Sequence, residues 1–223
     1  WYFADEALFS VAVFYKDIDS YVQNIRQDRP FNTTGLPLSL LPAGFTGDEV
    51  FQIRSAVNSP GGPLKGFEIG FQTPFSFLPG PFDRFGIKAN YTHVESEIAY
   101  ATSATAATTT YVTNDLVNLS PDAYNATLYY EHGPLEARVS ASYRDDYLQT
   151  VPGRSGNDVE GKIGTTNVDF SASYDVGDHL TFTFEGLNLT DEFNDQYVSS
   201  TADRSSVYHH TGRQYYVGIR YRY

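Results

Sequence analysis

Cysteine and methionine are both missing from the 223-residue chain. Without cysteine there are no disulfides and no thiolate metal ligands. No run of about 18 apolar residues occurs, which excludes a transmembrane helix. Positive charge is also scarce. Fifteen Lys and Arg stand against 27 Asp and Glu, for a formal net charge of −12. A nucleic-acid binder ordinarily carries a basic patch, so nucleic acid is not expected as a partner. The negative mean hydropathy leaves a membrane open, because barrel strands show only every second residue to lipid. With no initiator Met and no signal peptide, the chain opens on WYFADEALF, which reads as a strand end, a tight turn and a new strand. It is therefore expected to be a piece of a longer protein.

What is abundant is aromatic: 18 Tyr and 16 Phe, residues that suit a pleated surface better than a helix. The closing segment GRQYYVGIRYRY (212–223) puts Tyr215, Val217, Ile219, Tyr221 and Tyr223 on one face and Tyr216, Gly218, Arg220 and Arg222 on the other. That period of two marks a strand with one apolar and one polar face. HLTFTFEGL, NVDFSASYDV and PLEARVSASYRDD alternate in the same way. Eight strands are expected, at roughly 7–18, 50–77, 84–100, 120–131, 135–148, 165–176, 179–190 and 211–223, after a stub at 1–3.

Connections fall into two classes that alternate along the chain. Short ones occur at 4–6, 78–83, 132–134 and 175–178. Long ones, rich in Thr, Ser, Gly, Asn and Asp, occur at about 19–49, 101–119, 149–163 and 191–210. In an up-and-down sheet, alternate connections share an end, and short turns opposite long loops is the arrangement of outer-membrane barrels. The same parity makes 50–77 one strand rather than a hairpin, with a bulge expected at Pro60–Pro63 because proline in strands is confined to edges and bulges. The fold class read from the residues is thus all-β, an antiparallel up-and-down transmembrane β-barrel.

The covering of the apolar face decides between lipid and a protein core. A sandwich core favours packed Leu, Ile and Val from two sheets. Here aromatics gather near strand ends: Trp1, Tyr2, Phe3, Phe75, Phe77, Phe82, Phe85, Tyr221 and Tyr223 near short turns, and Tyr15, Tyr21, Tyr100, Tyr147 and Tyr208 near long loops. Two aromatic girdles are expected of a barrel in a bilayer. Glu136, Arg138, Asp169, Glu185 and Arg220 sit mid-strand on the other face. Each would cost about 2–4 kcal/mol facing lipid at the bilayer centre, and little in a wet lumen.

Several stretches together resemble the C-terminal part of the barrel of TonB-dependent receptors. They are EALFSVAVFYKDIDSYV (6–22), NSPGGPLKGFEIGFQ (58–72) with Gly66 and Glu68 in a G-x-E element, and LPGPFDRFGIKANYTHVES (78–96). SPDAYNATLYYEHGPLEARVSASYRDDYL (120–148) and FEGLNLTDEF (184–193) complete the set. The ending resembles the family's C-terminal assembly signal, with Gly218, Tyr221 and Tyr223 at the matching positions and Tyr216 and a final Tyr as departures. The resemblance implies about eight strands of a 22-stranded barrel whose lumen holds a plug that this sequence lacks. It implies a location in the bacterial outer membrane, among its lipids. It implies import of a scarce small-molecule ligand, a siderophore, cobalamin or an oligosaccharide, driven by the TonB complex acting on the plug, and handling of the last strand by the barrel assembly machinery.

Other chemistry is thin. His209, His210 and Asp203 lie in one long loop without metal-ligand spacing, and Asp145–Asp146 read as solvated strand-end carboxylates rather than a protease pair. NTT, NLS, NAT and NLT match a glycosylation pattern that has no implied role in a bacterial barrel. ATSATAATTT (101–110) and PGRSGNDVEGKIG (152–164) read as flexible loops. No nucleophile motif, phosphate loop or dinucleotide fingerprint occurs, so no enzyme, cofactor or metal is expected. Tyr111, Arg154 and Arg204 are equally readable as ligand contacts or as plain loop residues, and the ligand-binding residues stay unassigned. The rival readings are a self-contained eight-stranded outer-membrane protein with a structural or adhesive role and, more remotely, a barrel-embedded hydrolase using Asp145 and His209. An arc without neighbours is expected to be an open curved sheet or a barrel forced shut.

Overall fold

The computed structural model describes residues 1–104, 109–202 and 204–223. A single nine-stranded antiparallel sheet runs through it. The sheet order is β1 (Tyr2–Ala4), β2 (Ala7–Pro30), β3 (Val50–Pro74), β4 (Phe85–Ser96), β7 (Asp122–His132), β8 (Leu135–Arg144), β11 (Thr165–Val176), β12 (Leu180–Leu187) and β15 (Gln214–Tyr221). The expected eight strands and stub are all present. Neighbours in sequence are neighbours in space, the local connectivity that short turns impose. Gly133 and Gly177 take positive φ in two of those turns, a conformation that costs glycine nothing. β1 and β15 are both free edges, so the sheet is an open arc and not the closed small barrel of the self-contained reading.

Register carries the alternation across the whole arc. Phe85, Tyr130, Ala137, Ala172, Phe184 and Val217 form one continuous row over six strands. The parallel row Gln72, Lys88, Thr127, Ser140 and Asp169 is polar throughout. Because side chains alternate between faces, these rows lie on opposite sides of the sheet. Among the described residues no second sheet covers the apolar side: Val139 keeps 42% of its surface exposed, Ile219 69% and Val217 80%. On the polar side Arg138 Nε donates to Ser171 Oγ at 2.7 Å. Glu131, Glu136, Glu185, Arg220 and Arg222 line a shallow groove of about 360 Å³ beside it.

Three expectations need correction. First, β2 does not stop at residue 18. It pairs with β3 in one unshifted register from Leu8↔Gln72 to Pro30↔Val50. The first long connection therefore shrinks to 31–49, held by short 3-10 turns at Phe31–Thr33 and Leu38–Leu40. Second, Pro60–Pro63 forms no bulge, since no residue is inserted. The strand is instead unusually tight there. A Cβ on Gly61 would collide with the Ile18 carbonyl, and one on Gly62 with the Glu97 carbonyl. Two glycines let three backbones meet where the prolines withhold N–H donors. Third, strand 84–100 breaks after Ser96, and β5 (Ile98–Ala104) leaves the sheet to pair with β6 (Thr109–Asn114).

Candidate functional site: a cap of four loops

Two stretches expected to be flexible, 101–110 and 152–164, contribute residues to paired strands. β5 and β6 form a hairpin on the second connection. The lower-complexity tract falls largely on it, although its residues 105–108 lie outside the described residues. The third connection carries β9 (Tyr147–Thr150) and β10 (Glu160–Lys162), and the fourth β13 (Gln196–Val198) and β14 (Arg204–Val207). These four pair as β14-β13-β10-β9, so two loops are zipped into one small sheet. Above the level of Gly61, β2 and β3 continue as a two-stranded ribbon. At about 3.3 Å per residue, its 11-residue arm Ser20–Pro30 reaches about 35 Å.

The cap has its own core. Ile98, Tyr100, Val151 and Val159 are buried together, with Ile18, Tyr21, Leu116, Val117, Leu148 and Tyr197 packed around them. Tyr21 and Tyr100, expected in an aromatic girdle, instead meet edge to face within this core at 5.4 Å. The Tyr100 hydroxyl donates to the Asp115 carbonyl at 3.0 Å and accepts the Val117 N–H at 2.9 Å. Burial pushes this phenol up to about 12 and raises the Asp115 carboxyl as well. Gln23 is buried among backbone groups and acts as a strand segment would. Its Nε2 donates to the Ala101 carbonyl, while its Oε1 accepts from the Ala101 N–H and the Ser59 hydroxyl, all within 2.9 Å. That triangle ties the ribbon to the β5–β6 hairpin, since a buried amide left unpaired would cost heavily.

Carboxylates fasten loop three to itself and to loop four. The Glu160 carboxylate, almost sealed from solvent, receives the Arg154 N–H at 2.6 Å and the Arg154 guanidinium at 2.8–2.9 Å. Those bonds hold its carboxyl below the usual range. Asp158 accepts from the Ser200 N–H and hydroxyl and is lowered for the same reason. Glu49, in the first connection, accepts N–H bonds from Thr46 and Gly47 and is likewise lowered.

The ribbon and the last three connections border one cleft of about 580 Å³. Arg26 and Arg54 come from the ribbon, Thr102, Val112 and Asn114 from the hairpin, Arg154 and Asp158 from the third connection, and Ser200 from the fourth. Of the three residues singled out as possible ligand contacts, Arg154 lines this cleft. Tyr111 and Arg204 are exposed elsewhere on the cap strands. Arg26 falls beyond position 18, where no strand was expected, and Arg54, although inside the expected strand 50–77, therefore had no partner strand opposite it. Their signal was present: each has the parity of the polar face of its own strand.

The remaining candidates resolve to structural roles. His210 Nε2 lies 2.9 Å from Asp191 Oδ1, the His209 N–H donates to Asp195 Oδ1 at 3.2 Å, and Asp203 lies outside the described residues. Among the described residues no group of three His, Cys, Asp or Glu could hold a metal. Asp145 accepts from the Asp146 N–H and the Tyr143 hydroxyl, and Asp146 from the Gly164 N–H, so both carboxylates fasten strand ends. Asn188 of the N-L-T-D element is a clasp. Its N–H donates to Asp169, its Oδ1 accepts from the Glu192 N–H, and its Nδ2 reaches the Glu192 and Gly212 carbonyls. Gly218 faces Thr183, whose hydroxyl a Cβ there would crowd at 2.5 Å. Tyr221 and Tyr223 stack edge to face at 5.5 Å.

The structure is similar to that of the siderophore receptor PiuA from Acinetobacter baumannii, with a TM-score of 0.60 at 17% sequence identity. The match covers 100% of this chain and 27% of the receptor, and it shows a shared fold. No curated protein matches the chain. The family model described as TonB dependent receptor-like, beta-barrel matches residues 1–189. Alternating rows on an open arc, long loops at one end only and this match over most of the chain together place it in the TonB-dependent receptor β-barrel family, whose members are transporters and not enzymes.

Proposed function

We propose that this chain is a wall segment and a set of capture loops of an outer-membrane receptor that imports a scarce solute. The solute classes in view are siderophore iron, cobalamin and oligosaccharides. The observation that carries the reading is a division of labour: the sheet leaves its apolar face uncovered, while the cap builds a core and a cleft between the ribbon and three connections. An uncovered apolar face of this extent marks a surface meant for another apolar phase, and barrel strands meet lipid in this way. The free edges at β1 and β15 favour further strands on both sides, since unpaired backbone groups in a bilayer cost several kcal/mol each. A larger barrel of about 22 strands would supply them. The polar groove with Arg138, Glu185 and Arg220 would then face a plug, the part through which the TonB complex acts.

Two roles follow for particular residues. Gly218, Tyr221 and Tyr223 form the assembly signal read by the barrel assembly machinery. The outer-face cluster of Lys65–Glu95 (2.9 Å), His93–Asp122 (2.8 Å) and Tyr91–Asp122 (2.5 Å) marks the level at which hydrocarbon gives way to headgroups, because such charges are too costly deeper in the bilayer.

The test is energised uptake by the full receptor in an outer membrane, offering ferric siderophores, cobalamin and maltodextrins in parallel. One solute should accumulate, and a protonophore should abolish its accumulation. A correctly folded receptor that accumulates nothing, or whose accumulation ignores the protonophore, would overturn the importer reading.

A further inference from the structure

The ribbon holds a local conflict that its packing does not explain. Arg26 and Arg54 are direct cross-strand partners in the β2–β3 register. Like charges placed opposite one another in a sheet destabilise it. Both line the cleft, and among the described residues neither guanidinium has a hydrogen-bond or ion-pair partner. The cleft's acids do not answer them. Glu160 is taken up by Arg154, and Asp158 by Ser200. Glu160 feels Arg26 only weakly and through space. In a chain of net charge −12, two unanswered guanidiniums side by side are conspicuous. Each is a planar fork suited to grip two oxygens of one carboxylate or phosphate.

We infer that Arg26 and Arg54 form a two-pronged clamp for a ligand bearing several oxyanion groups, seated in the cleft between the ribbon and the last three connections. This deepens the proposed capture role and rests on it for its biological setting. It narrows the solute from three classes to those carrying carboxylates or phosphates, and it excludes a neutral sugar as the clamp's ligand. The geometry fits the task. The ribbon fixes the two arginines relative to each other, because an unshifted register with tight Gly61–Gly62 packing leaves little play at its base. The hairpin wall offers a neutral donor in the Asn114 side-chain amide. Bound anion would relieve the repulsion that the empty pair carries, so the strain becomes part of the affinity.

The experiment uses the full receptor purified in detergent and isothermal titration calorimetry with three probes: citrate, pyrophosphate and maltotriose. Wild type should bind citrate or pyrophosphate saturably, more weakly as salt is raised, and should not bind maltotriose at this site. Arg26→Gln/Arg54→Gln should weaken the anion by about tenfold or more, the loss expected for charge-assisted hydrogen bonds. Its thermal stability should be unchanged or higher, because a repulsive pair has been removed. Should that variant fail to fold, Arg26→Lys/Arg54→Lys decides, since it keeps the charges and loses the forks. Weakened, still salt-sensitive binding supports the clamp, and unchanged affinity overturns it. Equal anion binding by a folded Gln variant, or binding of maltotriose alone, also overturns it. Energised uptake without anion binding would defeat this inference and leave the importer standing. Anion binding without energised uptake would do the reverse.

Discussion

The wall and the cap of this chain are built by opposite rules. In the wall, buried residues are few, with Ala7 and Thr73 among them, and large apolar side chains stand in the open on one face. In the cap, Ile25, Phe31, Ile98, Tyr100, Val151 and Val159 are buried, together with Gln23, Ser59 and Glu160. One region leaves its apolar surface for an outside phase to cover, and the other covers its own. The difference teaches where water is. A structure that seals tyrosine, isoleucine and valine away on its own account is one that folds against solvent. A sheet that does not must meet something apolar.

That contrast can be broken at several points, and the largest effect is expected in the cap core. Tyr100→Ala should cost about 3–5 kcal/mol, the usual range for removing a large buried aromatic. The damage should stay local: limited proteolysis should open 98–117 and 147–163 while the wall keeps its heat-modifiable mobility on gels. Simultaneous loss of both would mean that cap and wall fold as one unit. At the joint between them, Gly61→Ala or Gly62→Ala should cost about 3 kcal/mol or more, because the new methyl meets backbone that cannot step aside. Proteolytic release of the ribbon would report it, and an unaffected ribbon would refute the close approach.

The wall should respond to charge on one face only. Val139→Arg or Ile219→Arg should cost about 2–4 kcal/mol in lipid vesicles, whereas Thr183→Arg on the polar face should be nearly neutral. Chemical denaturation of vesicle-embedded protein reads the difference, and equal costs on both faces would end the distinction. The smallest effect concerns the carboxylates that fasten loop three, to itself through Glu160–Arg154 and to loop four through Asp158–Ser200. Glu160→Gln should loosen the cap by about 1 kcal/mol, because Arg154 is largely exposed and water screens the pair. The Glu160 carboxyl is held below its ordinary 4.5 in the folded cap, and Asp158 is lowered too. Their contribution is therefore full above about pH 4.5 and fades as pH falls through the depressed folded values. Proteolytic protection of the cap should fall with acidification in that range, and less so in the Glu160→Gln protein. Protection that instead rises on acidification would contradict the sign.

How far the sequence could be read follows from the same contrast. The wall was legible because each strand repeats its alternation over eight or more residues, and because short and long connections alternate. Phe170, Val139 and Ile219 on one side and Arg138 and Arg220 on the other could be placed from parity alone. The cap was not legible. Glu160–Lys162, Gln196–Val198 and Arg204–Val207 are too short to show any period. The first two pair with each other across more than 30 residues of chain, which no local pattern records. Val151 and Val159 sit in a Gly- and Asn-rich stretch that looks like a solvated loop, and only the arrival of Ile98 and Tyr100 makes them a core. Pro60 and Pro63 misled in the other direction. Their missing donors suggested an inserted residue, where two glycines had solved the problem by close contact. Arg26 and Arg54 were invisible for a related reason: the ribbon that pairs them continues beyond the point where the alternation weakens.

The most direct test of the account uses the absence of cysteine, which leaves the chain without background thiols. Single cysteines at Val139, Phe170 and Ile219, and at Arg138, Ser171 and Arg220, would each carry a nitroxide spin label in the full receptor reconstituted in lipid. Collision with oxygen, which concentrates in hydrocarbon, should dominate at the first three positions, and collision with a water-soluble nickel chelate should not. At the second three positions, oxygen collision should be low. A chelate that reaches Val139, Phe170 and Ile219 as readily as oxygen does would place that face in water and contradict the account.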